Sequence, residues 1–77
     1  MKITLCKKTE GGYYPETIEA TKINWDCNTA ILIVANKNIG NGAQIIELAQ
    51  TFGYSIAFKD NFCEIAINAE YISEIQF

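Results

Sequence analysis

The strongest constraint on the fold is a single helical segment, Gly42 to Phe52, bracketed on both sides by strand patterns. Ile45, Leu48, Ala49 and Phe52 recur at the spacing of one buried helical face, while Gln44, Glu47, Gln50 and Thr51 take the wet side. Asn41 stands where a side chain accepts from an orphan amide at the helix start, and Gln44, three residues later, completes a capping box. Gly53 follows Phe52, as expected of a glycine closing the helix in the left-handed conformation.

The flanking segments carry a period of two. Ala30-Ile31-Leu32-Ile33-Val34-Ala35 is apolar at every position, which predicts a strand covered on both faces or a central strand beneath a helix. Beyond the helix, Tyr54, Ile56 and Phe58 alternate with Ser55, Ala57 and Lys59. Asp60-Asn61 then reads as a hairpin turn, because both residues tolerate positive φ, and Phe62 to Asn68 returns with Cys63, Ile65 and Ile67 on one face. Near the N-terminus, Ile3 and Leu5 alternate with Lys2 and Thr4 ahead of the turn signal Glu10-Gly11-Gly12. Thr17 to Trp25 reads as one further strand, with a short helix opening at Pro15-Glu16 as the alternative. Asn68-Ala69-Glu70-Tyr71 predicts a turn or a single helical turn before a short terminal strand containing Ile75 and Phe77. The expectation is one α+β domain over residues 1–77: a mainly antiparallel sheet of about five or six strands with one helix packed on one face, in the order β-β-β-α-β-β-β.

Composition narrows the chemistry. The 77 residues include no histidine and no arginine. That removes the usual acid–base and metal-binding imidazole and the planar fork that grips phosphate or carboxylate, leaving six lysines as the only basic side chains. Nine acidic groups spread along the chain give a net charge of −3, the wrong sign for a binder of nucleic-acid phosphate. No apolar run approaches the roughly 20 residues of a membrane span, and no export signal is evident, so a soluble cytoplasmic protein is expected. Cys6, Cys27 and Cys63 are isolated, without a Cys-x-x-Cys pair, and are expected as buried reduced thiols; no metal and no cofactor is expected. Thirteen isoleucines against one valine and three leucines suggest AT-rich coding, as in many low-GC bacteria and their phages.

Two regions are candidate sites. The loop entering the helix, with Lys37, Gly40, Asn41 and Gly42, places backbone amides and glycines where an anion could approach, although an ordinary capped loop has the same residues. Gly40-x-Gly42 has Ile45 where a dinucleotide fingerprint has its third glycine. The stretch Ile31 to Asn68 is similar in pattern to the front half of the histidine-phosphorylatable carrier proteins of the sugar phosphotransferase system. Gly40 and Gly42 stand where that family has its phosphoacceptor histidine and its arginine, so the likeness implies local architecture and no phosphocarrier activity. Glu70 with Glu74, and Glu16 with Glu19, are close enough in sequence to suggest acid–base pairs, but solvated charges fit the same spacing. Cys63 and Glu64, adjacent on a strand, face opposite sides and cannot form a nucleophile–base pair.

The second region comprises Tyr13, Tyr14 and Trp25 with Glu16, Glu19 and Asp26. Tyrosine and tryptophan in turn-rich segments either cover the open end of a small sheet or anchor a partner. The expected function is therefore a non-enzymatic protein-binding module, of the kind a phage or mobile element uses to inhibit a bacterial enzyme, anti-CRISPR proteins being one such class. The alternatives are a small anionic-ligand sensor at the helix entrance and a structural subunit that self-associates through an exposed strand edge.

Overall fold

Two antiparallel sheets share one hydrophobic core, and the chain crosses from one sheet to the other within two residues. The computed structural model describes residues 1–39 and 42–77. Strands β1 (Lys2–Thr9) and β2 (Gly12–Glu19) form a hairpin, as do β3 (Lys22–Asp26) and β4 (Thr29–Ala35). A 3-10 turn at Asn36–Asn38 precedes helix α1 (Gly42–Phe52), which runs directly into β5 (Gly53–Phe58). Strand β6 (Phe62–Asn68) completes a third hairpin, and a second 3-10 turn (Ala69–Tyr71) leads into β7 (Ile72–Gln76). The sheet orders are β2-β1-β7 and β3-β4-β6-β5.

The α+β class, the helix between strand groups and the antiparallel pairing agree with the sequence pattern. The described strands number seven and divide between two sheets. The division arises because the stretch from Thr17 to Trp25 is two strands. Ala20 N donates to Met1 O at 2.8 Å, whereas Thr21 N donates to Ile33 O at 2.7 Å, so the backbone changes sheets between adjacent residues. Ala20 is buried at this corner, where a longer side chain would displace the core.

The core follows the alternation. Ile3 and Leu5 of β1 and Ile18 of β2 meet Ala30, Leu32 and Val34 of β4 and Cys63, Ile65 and Ile67 of β6, with Ile45, Leu48, Ala49 and Phe52 of α1 closing the cluster. The helical face is the one its periodicity indicated, and its amphipathic pattern suffices to seat it. Asn41, the expected cap residue, lies outside the described residues, as does Gly40.

Several local expectations need correction. Gly53 is not a left-handed helix terminator: among the described glycines only Gly12, at φ 126°, has positive φ. Gly53 is required because a Cβ there would collide with the Ala66 carbonyl oxygen and lie 2.9 Å from Ile67 Cα. The glycine permits close approach of β5 to β6, beside the bulge between Gly53 and Ser55. Asp60 and Asn61 do make the β5–β6 turn, closed by Lys59 N donating to Phe62 O at 2.9 Å, but neither takes positive φ. Among the described residues the non-glycine one that does is Cys27, at φ 54°, in the β3–β4 turn. Of the two readings for β4, the central strand is the one found: it lies between β3 and β6, with Ala30, Leu32 and Val34 buried in the core cluster that includes α1. Ile31, Ile33 and Ala35 are half-buried on the outer side, so it is not covered on both faces. Phe77 lies beyond β7 and is fully exposed.

Candidate functional site

β2 is an edge strand, and its pairing with β1 fixes which side chains turn inward. Tyr14 lies opposite Lys7, Glu16 opposite Leu5 and Ile18 opposite Ile3. Residues directly opposite in an antiparallel pair share a face, and Ile3 and Leu5 are buried, so Tyr14 and Glu16 lie on the core side. The Tyr14 ring stacks on Phe52 with centroids 5.8 Å apart and planes 19° apart. Phe52 in turn meets the edge of Tyr71 at 5.9 Å. Lys7 Nζ lies 5.4 Å from the Tyr71 ring centroid and donates to Thr51 O at 3.1 Å. A cation therefore satisfies a carbonyl at the C-terminal end of α1, the negative pole of the helix.

A cleft of about 320 Å³ opens between β2 and α1. Tyr14, Glu16 and Glu19 line it from the strand and Gln44 and Glu47 from the helix, over apolar contributions from Ile18, Ile39, Ile45 and Leu48. Three carboxylates and no lysine are present in that lining. Glu19 accepts from the Met1 ammonium at 3.2 Å. Glu16 and Glu47 have no ion pair among the described residues. The negative field registers on Tyr14, whose hydroxyl is held above the ordinary phenol value of 10.0 by the Glu16 charge first, then by burial, then by Glu47 and a hydrogen bond to Glu16. Each of these disfavours the phenolate.

The sequence-selected residues do not form one patch. Tyr14, Glu16 and Glu19 line the cleft, and Tyr13, 72% exposed, stands on the opposite face of β2 beside Lys8. Trp25 and Asp26 belong to the other sheet, at the end of β3: Trp25 is 58% exposed and lies opposite Ala30, whereas Asp26 lies opposite Thr29 on the other face. Neither lines the cleft. Lys37 is exposed in the first 3-10 turn and Gly42 is the first residue of α1; Gly40 and Asn41 lie outside the described residues. The sequence signalled Glu47 only as part of the wet helix face and Gln44 as that and as the capping-box partner of Asn41, since nothing local indicates that β2 lies across from them.

The remaining candidates separate. Glu70 lies in a 3-10 turn, its amide donating to Asn68 Oδ1 at 3.1 Å, whereas Glu74 is in β7 and accepts from Gln76 Nε2, so they share no helical face. Of the three free cysteines, expected as buried, only Cys63 is; Cys6 is half-buried and Cys27 is exposed because it occupies a turn. Burial pushes the Cys63 thiol up. Among the described residues no helix is long and apolar enough to cross a membrane. Compared with family models, curated proteins and solved structures, the chain has no match.

Proposed function

We propose that the protein is a non-enzymatic protein-binding module whose β2–α1 cleft receives a basic side chain of its partner, with Tyr14 in the cleft wall and Tyr13 at the outer side of the same strand. The observation that carries this reading is the Tyr14 hydroxyl lying in the field of Glu16 and Glu47 with no cation in the cleft lining. A lysine or arginine entering there would meet two carboxylates and an aromatic face in partly desolvated surroundings, the combination that makes an interface anchor. Trp25 and Asp26, in the other sheet, form a separate contact in this reading. The biological role we attach to it is inhibition by covering a partner's surface, as phage or mobile-element inhibitors of bacterial enzymes do, anti-CRISPR proteins included. Small size and the absence of histidine and arginine support that role over catalysis.

The anionic-ligand reading at Lys37, Gly40, Asn41 and Gly42 is the weaker one. Asn38 and Ile39, beside that loop, line the same cleft as Glu16 and Glu47, whose charge opposes an incoming anion. Affinity capture from a bacterial lysate with the wild-type chain, a Glu16→Gln/Glu47→Gln double variant and Trp25→Ala tests the proposal. The captured partner is expected to be weakened by more than about 1 kcal/mol in the double variant and to elute with added salt. Capture that the double variant leaves unchanged overturns the cleft, and loss in Trp25→Ala alone moves the contact to the end of β3. Thermal stabilisation by nucleotides or phosphorylated metabolites, abolished in Gly42→Asp, would favour the sensor instead.

A further inference from the structure

The middle of the outer face of the β3-β4-β6-β5 sheet, on β4 and β6, carries an apolar strip where a solvated sheet face is usually polar, while the outward residues of β3, Lys22, Asn24 and Asp26, are polar. Ile31, Ile33 and Ala35 of β4 and Phe62 and Ala66 of β6 are half-buried, and none packs against the core. Around them the charges follow a pattern. In one cross-strand row, Lys22 of β3 lies opposite Ile33 of β4, which lies opposite Glu64 of β6. Lys22 and Glu64 thus flank Ile33 on either side, about 10 Å apart across the sheet. Neither forms an ion pair among the described residues.

We propose that this face binds a second copy of the chain, through a two-fold axis running along β4. Rotation about that axis lays β3 of each copy over β6 of the other and β4 over β4. Lys22 then faces Glu64 of the second copy, and Glu64 faces its Lys22, while Ile31 and Ile33 meet their own equivalents between the sheets, roughly 10 Å apart. In the next row on this face Asn24 faces Ala66, and in the row after that Asp26 faces Asn68, whose Oδ1 already accepts from Glu70 and whose amide is left to donate. Moving the axis between β4 and β6 would instead set Ile33 against Glu64 and leave both charges unpaired, so the charge pattern selects β4. Three strands of each copy, β3, β4 and β6, overlap in this arrangement while β5 extends past the contact. The footprint of roughly 300 Å² per copy is below the usual size of specific interfaces, so the dimer is weak and dissociates on dilution. The β2–α1 cleft is on the other side of the core and stays open, so this proposal and the cleft reading are tested separately.

Sedimentation equilibrium of the full chain up to roughly 1 mM is expected to show concentration-dependent growth to twice the 8.6 kDa mass. Lys22→Glu and Glu64→Lys should each weaken association at least tenfold, because each sets like charges face to face. An equimolar mixture of the two variants should dimerise again, since both contacts between unlike copies become opposite in sign. Lys22 is exposed on an edge strand, so Lys22→Glu keeps its circular dichroism and urea midpoint even if Glu64→Lys does not. A wild-type chain that stays monomeric at the highest concentration assigns the face to some other protein and overturns the proposal. So does association that Lys22→Glu leaves unchanged, or two folded variants that fail to associate when mixed.

Discussion

Tyr14 stacks on Phe52 across the boundary between the first sheet and the helix, ring on ring at 5.8 Å. Phe52 is the last residue of α1 and is almost fully buried, whereas Tyr14 is 40% exposed on an edge strand. The contact turns a core residue into the support for a surface one. A side chain of the cleft wall is therefore held in place by packing, which under the proposed binding role would lower the ordering cost of association.

The Tyr14 hydroxyl should titrate later than a free phenol. Glu16, burial and Glu47 all favour its protonated form, so the native state retains this proton above pH 10.0, where the unfolded chain loses it. The resulting stability is fully present below that pH and is lost as pH climbs through the raised native value. Ultraviolet titration of wild type and Tyr14→Phe should differ by one late phenolate transition, and Glu16→Gln should move that transition earlier. A Tyr14 transition at the ordinary value would show that the carboxylates do not act on it.

Gly53→Ala is expected to destabilise by about 2 to 3 kcal/mol, because the added methyl collides with the backbone of β6 rather than with a movable side chain. Gly11, in the β1–β2 turn, has open space around its Cα and no positive φ. Gly11→Ala should therefore fall within about 0.5 kcal/mol of wild type. Urea midpoints of the two variants decide the matter; equal effects would deny the close approach.

Thiol reactivity should rank with position. Cys27 is exposed in a turn, Cys6 is half-buried, and Cys63 is buried with its thiol pushed up, so little reactive thiolate forms there. Under native conditions a disulfide reagent should label Cys27 first and Cys63 only upon unfolding. Rapid native labelling of Cys63 would mean that β6 opens readily.

Within α1, Leu48→Ala should cost about 2 to 5 kcal/mol, since it opens a cavity beneath the sheets. Ile46→Ala, two residues away and 39% exposed, should cost under about 1 kcal/mol. Thermal or urea melts giving the reverse order would place the buried face of the helix wrongly.

The helix and its buried face were legible in the chain because they depend on residues three and four apart, and the same holds for Asp60-Asn61 and Asn68–Tyr71, whose turns depend on immediate neighbours. Alternation likewise marked Cys63, Ile65 and Ile67 as one face. Alternation cannot say which strand lies alongside, because every strand offers the same backbone donors and acceptors to any partner. Hence the split at Ala20–Thr21 was invisible: nothing in those two residues tells that one amide reaches Met1 and the next Ile33. For the same reason Gly53 reads locally as a helix stop, although its role is set by Ala66 and Ile67. Tyr14 and Glu16 were visible as surface candidates, but Glu47 joins them only because α1 packs beside β2. Local periodicity thus determined the elements and their apolar faces, while long-range backbone pairing and helix packing decided which polar residues share a site.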